Sequence, residues 1–185
     1  MVSGSEGKTM NKFEKVSFDE YSKAVMRLDD LLASHWNAGQ ILECEYQNIR
    51  LPRRAHDGDA GYDFFAPYDM TILPGGELKI ATGIRCFLEK DKFLMLVPRS
   101  GLGSKFRLRL NNTVGIIDSG YSNSDNEGHI MATLANEGNS PITIPQGKAF
   151  MQGIIVRYSL TDDDVATGMR NGGFGSSDSG KEVMV

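Results

Sequence analysis

Phe93-Leu94-Met95-Leu96-Val97-Pro98-Arg99-Ser100-Gly101-Leu102-Gly103-Ser104-Lys105 decides how the rest of the chain is read. A short apolar run stops at a proline and gives way to a turn rich in glycine, hydroxyls and positive charge. A run this short, bounded by Pro and Gly, reads as a strand ending in a turn. Glycines let backbone amides approach an anion, and Arg99 supplies a bidentate fork, so the turn suits an anion. A plain surface turn carrying an arginine would use the same letters. The GxxxxGK[ST] spacing of a P-loop is absent.

Outward from this stretch the texture repeats. Ile41–Ile49, Met70–Leu73, Leu78–Leu88, Thr113–Ile117, His129–Asn136, Ile142–Ile144 and Phe150–Tyr158 are apolar or alternating runs separated by Gly, Pro, Asn and Asp. Closely spaced short strands predict a mainly β barrel or sandwich rather than a βαβ fold. No amphipathic helix is evident after Gly39. Before it, Ser17 to Ser34 reads as a helix, with Phe18, Tyr21, Val25, Leu28 and Leu32 on one stripe. Ser17 and Glu20 fit a capping box, and Gly39 is a stop signal. The helix either docks on its own domain or recruits a second subunit or protein. The expected division is a flexible leader at 1–16, a helical extension at 17–40, a β core at 41–160 and a C-terminal arm at 161–185. The arm carries the Gly/Ser-rich Gly172–Lys181.

Composition narrows the function classes. The chain has 40% hydrophobic and 24% charged residues, which is globular rather than disordered. Lys plus Arg total 20 against 24 Asp plus Glu, a net charge of −4, so no polybasic nucleic-acid surface is expected. No apolar run approaches the ~20 residues of a membrane helix, and residues 1–15 lack a signal-peptide core. The 2 cysteines make neither a disulfide framework nor a four-ligand zinc site. A soluble, reduced, cytoplasmic protein is expected. The 3 histidines are scattered, with no HxxxH or HxH pair, and no GxSxG elbow is present. The 9 methionines read as core filler.

Two further stretches carry chemistry-bearing residues. Gly115-Ile116-Ile117-Asp118-Ser119-Gly120-Tyr121 places an acid and a tyrosine at the end of an apolar strand. Asp118 could activate a water in a partly dry site, or simply shape an Asp-Ser-Gly turn. Arg170-Asn171-Gly172-Gly173-Phe174-Gly175-Ser176-Ser177 suits a lid that stacks its aromatic on a flat ligand and grips an anion. A mobile tail has the same composition.

Taken in order, Ala60-Gly61-Tyr62-Asp63, Pro98-Arg99-Ser100-Gly101 with Lys105, Asn112–Asp118 with Tyr121, Gly147-Lys148-Ala149-Phe150-Met151-Gln152, and Arg170 with Gly172–Ser177 resemble the motifs of the homotrimeric deoxyuridine triphosphatase (dUTPase) family. The resemblance covers roughly 41–180. After Tyr121, Ser122–His129 is longer than the family's usual turn, and the last motif is one residue shorter than the common pattern. Both features look like the Gram-positive and phage branch. The final motif reads Ser-Ser-Asp-Ser-Gly where Ser-Thr-Gly is usual.

The resemblance implies a distorted jelly-roll or β-barrel subunit forming a homotrimer with shared sites. It implies hydrolysis of dUTP to dUMP and pyrophosphate with Mg²⁺. Asp118 would be the base. Arg99, Ser100, Gly101, Gln152, Arg170, Ser176 and Ser177 would contact phosphate. Asn112, Gly115, Ile117, Tyr121 and Phe174 would hold uracil and deoxyribose, with Tyr121 excluding a 2′-hydroxyl. Asp63 would hold Mg²⁺ through water. Small-molecule dUTP is the expected partner, with no nucleic acid and no membrane. A protein partner through the N-terminal helix stays open. Deoxycytidine triphosphate deaminase shares the general fold, but Thr133-Leu134-Ala135 has no acid where that family carries a catalytic Glu. A phage-type regulatory protein of the same fold is the other alternative.

Overall fold

The computed structural model describes residues 11–29 and 37–168. Among the described residues eleven strands alternate with a few short helices. They are β1 (Lys12–Lys15), α1 (Phe18–Leu28), α2 (Ala38–Asn48), β2 (Gly61–Phe65), β3 (Met70–Ile72), β4 (Glu77–Ala81), β5 (Ile84–Phe87), β6 (Lys92–Pro98), α3 (Ser100–Phe106), β7 (Leu108–Leu110), β8 (Gly115–Asp118), β9 (Met131–Asn136), β10 (Ile142–Ile144) and β11 (Ala149–Arg157). A 3₁₀ turn, Ser119–Asn123, follows β8. The sheets run β2-β11-β6-β8, β4-β9-β7, β1-β5 and β10-β3, and every pairing is antiparallel. This is a jelly-roll-like arrangement without a closed barrel.

Alternation places the core. Along β6 only Leu94 and Leu96 are buried, and along β8 Gly115 and Ile117 turn inward while Ile116 and Asp118 face out. In the β3–β10 pair, Met70, Ile72, Ile142 and Ile144 point inward, and the hydroxyls of Thr71 and Thr143 meet outside at 3.1 Å. Phe64, Phe150, Ile80 and Leu134 join these in one continuous cluster. Antiparallel strands with one covered face show this pattern.

The N-terminal segment belongs to the same core. Tyr21 and Leu42 are fully buried, and Val25 nearly so. Each such side chain contributes roughly 1.5–3 kcal/mol. The helix expected from Ser17 to Ser34 is present as α1 but ends at Leu28, where Asp29 is extended as its C-cap; Leu32 lies outside the described residues. Ser17 caps it, its hydroxyl accepting from the Glu20 amide at 3.2 Å. The reciprocal half of the capping box does not form. Glu127 takes the Ser17 amide instead, at 2.8 Å.

Several expectations are corrected. Residues 12–15 of the predicted flexible leader are a strand paired with β5. Ile41–Ile49 was expected as a strand, but 38–48 is helical. Ala38 and Leu42 are its buried positions, Tyr46 packs against the core and Ile49 is buried at the C-cap, so helical spacing wins over a partial alternation. Lys15 secures its C-terminus, Nζ donating to the Tyr46 carbonyl at 2.8 Å, where a helix favours a cation. Leu78–Leu88 is two strands, because Gly83 turns the chain with φ +71.

Candidate active site

Two clefts hold most of the described candidate residues. The first, of about 370 Å³, is lined by Asp63, Arg99, Ser100 and Gln152 together with Ala55, His56, Asp59, Ala60, Gly61 and Ile154. Three elements assemble it. Asp63 sits on β2, opposite Gln152 of β11, and β11 in turn pairs with β6, whose end delivers Arg99. Phe64 points into the core, so its neighbour Asp63 must face the cleft. Arg99 Nε lies 3.0 Å from Asp63 Oδ1. Gln152 Nε2 donates to the Pro98 carbonyl at 3.5 Å. A methyl at Gly61 would stand 2.3 Å from Gln152 Oε1, so glycine there leaves room for the amide. Gly101 and Lys105 are exposed on α3 but do not line this cleft.

The second cleft, of about 330 Å³, is lined by Asn112 and Gly115 with Lys79, Leu96, Leu110, Asn111, Met131, Ala132 and Thr133. Its rim is a tight hairpin. The Thr113 amide donates to the Leu110 carbonyl at 2.9 Å, and the Val114 amide to the Asn112 carbonyl at 2.7 Å. Thr113 is held at φ 67, a costly conformation for a β-branched residue. A Cβ at Gly115 would lie 3.1 Å from Leu96 Cβ, so glycine keeps this wall thin. Both volumes are of ligand size.

The remaining candidates stand apart. Asp118 is exposed at the end of β8, ahead of the 3₁₀ turn, and lines neither cleft. It pairs with Phe93 at one end of β6, whereas Arg99 follows Pro98 at the other. At 3.2–3.4 Å per residue, Phe93 to Arg99 spans about 20 Å of strand. Ile117 is buried, so it can offer a ligand only backbone groups. Tyr121 is 3% exposed, and its hydroxyl donates to the His129 carbonyl at 2.9 Å. Arg170, Phe174, Ser176 and Ser177 lie outside the described residues.

Sequence reasoning missed His56 and Asp59 beside Asp63, and the wall of Leu96, Leu110 and Met131. Leu96 and Leu110 were readable only as core. It also missed the network beneath Tyr121. His129 is fully buried, and burial holds its imidazole down to about 4, against the opposing charge of Glu127. Burial raises Glu20, and the Glu127 charge adds to this. Burial alone would raise Glu127 too, but hydrogen bonds from Ser17 and the charge of Arg85 leave it below the usual range. No helix among the described residues is long and apolar enough to cross a membrane.

The two clefts, one lined by the Arg99–Asp63 pair and the other walled by a backbone hairpin, are the kind of concave surface that takes a small molecule. The dUTPase family model matches residues 47–178. The deoxyuridine 5′-triphosphate nucleotidohydrolase of Lactococcus lactis is 33% identical over 138 residues, 72% of this chain and 92% of that protein. The crystal structure of the dUTPase from Streptococcus mutans is similar with a TM-score of 0.56 and 32% identity, covering 63% of this chain and 91% of that one. A mutant dUTPase of Staphylococcus bacteriophage 80alpha, with dUpNHpp, gives a TM-score of 0.59 at 18% identity, over 87% of this chain and 98% of the phage one. The chain belongs to the dUTPase family, and as an enzyme it is a dUTP diphosphatase.

Proposed function

We propose that the protein hydrolyses dUTP to dUMP and pyrophosphate in the cytoplasm, at sites shared between the subunits of a homotrimer. One observation carries the sharing: Asp118 and Arg99 lie at opposite ends of neighbouring strands of one sheet, about 20 Å of strand apart. A triphosphate is too short to meet both within one chain. Residues that serve one α-phosphorus must then come from different copies.

Asp118 orients a water and takes its proton as the water attacks the α-phosphorus in line. The charge that develops on phosphate oxygens falls to Arg99, the Ser100 hydroxyl and the Gly101 amide, donors of the kind that stabilise it. Gln152 holds a phosphate oxygen or the ordered water. Arg170, Ser176 and Ser177 grip the γ-phosphate, and Phe174 stacks on uracil. Asn112 and the backbone at Gly115 and Ile117 read the uracil edge. The tight hairpin at Asn112 to Gly115 rejects a 5-methyl group sterically. Tyr121 packs on deoxyribose and excludes a 2′-hydroxyl.

Mg²⁺ prefers six oxygens and keeps several waters. No group of three or more His, Cys, Asp or Glu among the described residues could hold a metal. Asp63, already engaged by Arg99, fits only as an acceptor for metal-bound water. When bound with the triphosphate, Mg²⁺ would neutralise phosphate charge.

Deamination of dCTP draws no support. Ala135 sits in β9 opposite Glu77, and its methyl can transfer no proton. The direct test is pyrophosphate release with Mg²⁺ from dUTP, dCTP, dTTP and UTP. Selective release from dUTP is expected; equal turnover of dTTP or UTP, or ammonia from dCTP, would reject the reading.

A further inference from the structure

The 122–129 stretch wraps the hydroxyl of Tyr121. That hydroxyl donates to the His129 carbonyl and accepts from Asn126 Nδ2, each at 2.9 Å. The wrapping turn is cramped. Glu127 has φ 56 and Gly128 φ 72, and a Cβ at Gly128 would stand 2.6 Å from Ser122 Cα. Backbone held this way persists only where its surroundings over-determine it.

Helix α1 supplies that constraint. Glu127 accepts from the amide of Ser17 at 2.8 Å and from its hydroxyl. In the other direction, Glu20 of α1 pairs with His129 Nδ1 at 3.2 Å. His129 Nε2 lies 2.8 Å from the Gly83 amide, which can only donate. Nε2 therefore carries no proton, and the neutral imidazole donates through Nδ1 to Glu20. One carboxylate reaches from each side to the other. Arg85 adds to the Glu127 end, its Nη1 3.8 Å from the carboxylate.

We propose that α1 and the 122–129 loop form a latch that fixes the Tyr121 ring, making Glu20, Glu127 and His129 positioning residues for discrimination between deoxyribose and ribose. This rests on the reading of Tyr121 as the sugar-facing residue of the dUTP site. Tyr121 has almost no exposed surface, so its reach toward a sugar depends on where the hydroxyl tie sets the ring along its axis. Loosening the tie lets the ring withdraw and makes space for a 2′-hydroxyl.

The test measures kcat and KM with dUTP and with UTP on the full chain. The variants are Tyr121→Phe, Tyr121→Ala, Glu20→Gln, Glu20→Ala and Glu20→Ala with Tyr121→Phe. Glu20→Ala should lower the dUTP-to-UTP ratio of kcat/KM about tenfold, within the range seen for residues in one network. Glu20→Gln should keep the ratio, because its amide oxygen still accepts from Nδ1. The double variant should be no worse than the poorer single one. A lowered melting temperature in Glu20→Ala with an unchanged ratio would overturn the latch, as would additive effects in the double variant. An unchanged ratio in Tyr121→Ala would overturn the sugar-facing reading of Tyr121 instead. A wild-type enzyme indifferent between dUTP and UTP would overturn the substrate reading itself.

Discussion

The Arg99–Asp63 cleft and the hairpin cleft are built on opposite plans. The first is lined by partly exposed polar side chains: the Arg99–Asp63 pair is 45% and 18% exposed, and a methyl at Gly61 would clash with the flexible end of Gln152. The second is lined by the core itself. Leu96 and Leu110 are buried, and the methyl missing at Gly115 would press on Leu96. Chemistry in the first cleft can change without disturbing the fold, whereas shape in the second cannot.

The largest expected effect lies outside both clefts. Asp118→Asn keeps the shape and loses the basic oxygen, and turnover should fall on the order of 10²-fold or more while dUTP still binds. Near-normal turnover would reduce Asp118 to a turn residue. Arg99→Ala should cost about 10²-fold in kcat/KM, as loss of a fixed charge-stabilising donor does. Its stability should move by no more than about 1 kcal/mol, since the pair with Asp63 is partly exposed. Thermal unfolding beside steady-state kinetics separates the two; a large drop in melting temperature would break the contrast between clefts.

Gly115→Ala should do the reverse. Overpacking against Leu96 should destabilise by about 1–3 kcal/mol and raise KM for dUTP. A fully stable Gly115→Ala enzyme would show that the hairpin wall is not part of the core. Gly61→Ala should leave unfolding unchanged and lower kcat by roughly a few-fold, because Gln152 must swing aside and lose an oriented hydrogen bond.

A smaller effect, read in stability, comes from the titration of His129. Its folded pKa is about 4 against an ordinary 6.5. Between those values the unfolded chain binds more protons, so stability is full above about pH 6.5 and falls as pH drops towards 4. Glu20, raised by burial, offsets part of this loss, and Glu127, held low, adds to it at the acid end. Urea unfolding across that window should show the decline in the wild type. A flat profile would mean that His129 is not held neutral.

Much of the sheet was legible. β6, β10 and β11 are apolar runs with Pro or Gly at their ends, and periodicity with turn chemistry located each of them. That Arg99 and Ser100 line a cleft was legible too, since charged and hydroxyl side chains in a Gly-rich turn have few core uses. What stayed hidden depended on distant partners. Lys12–Lys15 carries one aromatic among charges and becomes a strand because β5 offers an edge. Ser100–Phe106 is helical despite two glycines. Ser17 and Glu127 are separated by 110 positions, a pairing no local pattern encodes. The wall of the hairpin cleft was hidden for the opposite reason: Leu96 and Leu110 obey the core pattern so well that a second role leaves no trace.

Mixing two disabled proteins tests the shared site most directly. Asp118→Asn and Arg99→Ala, unfolded together and refolded as mixed assemblies, should regain a substantial share of wild-type dUTP hydrolysis. In a mixed assembly an intact Asp118 from one copy can face an intact Arg99 from another. Each variant refolded alone should stay inactive. If the mixture, shown to contain mixed trimers, is no more active than its parts, both residues act within one chain, and the account of the site is wrong.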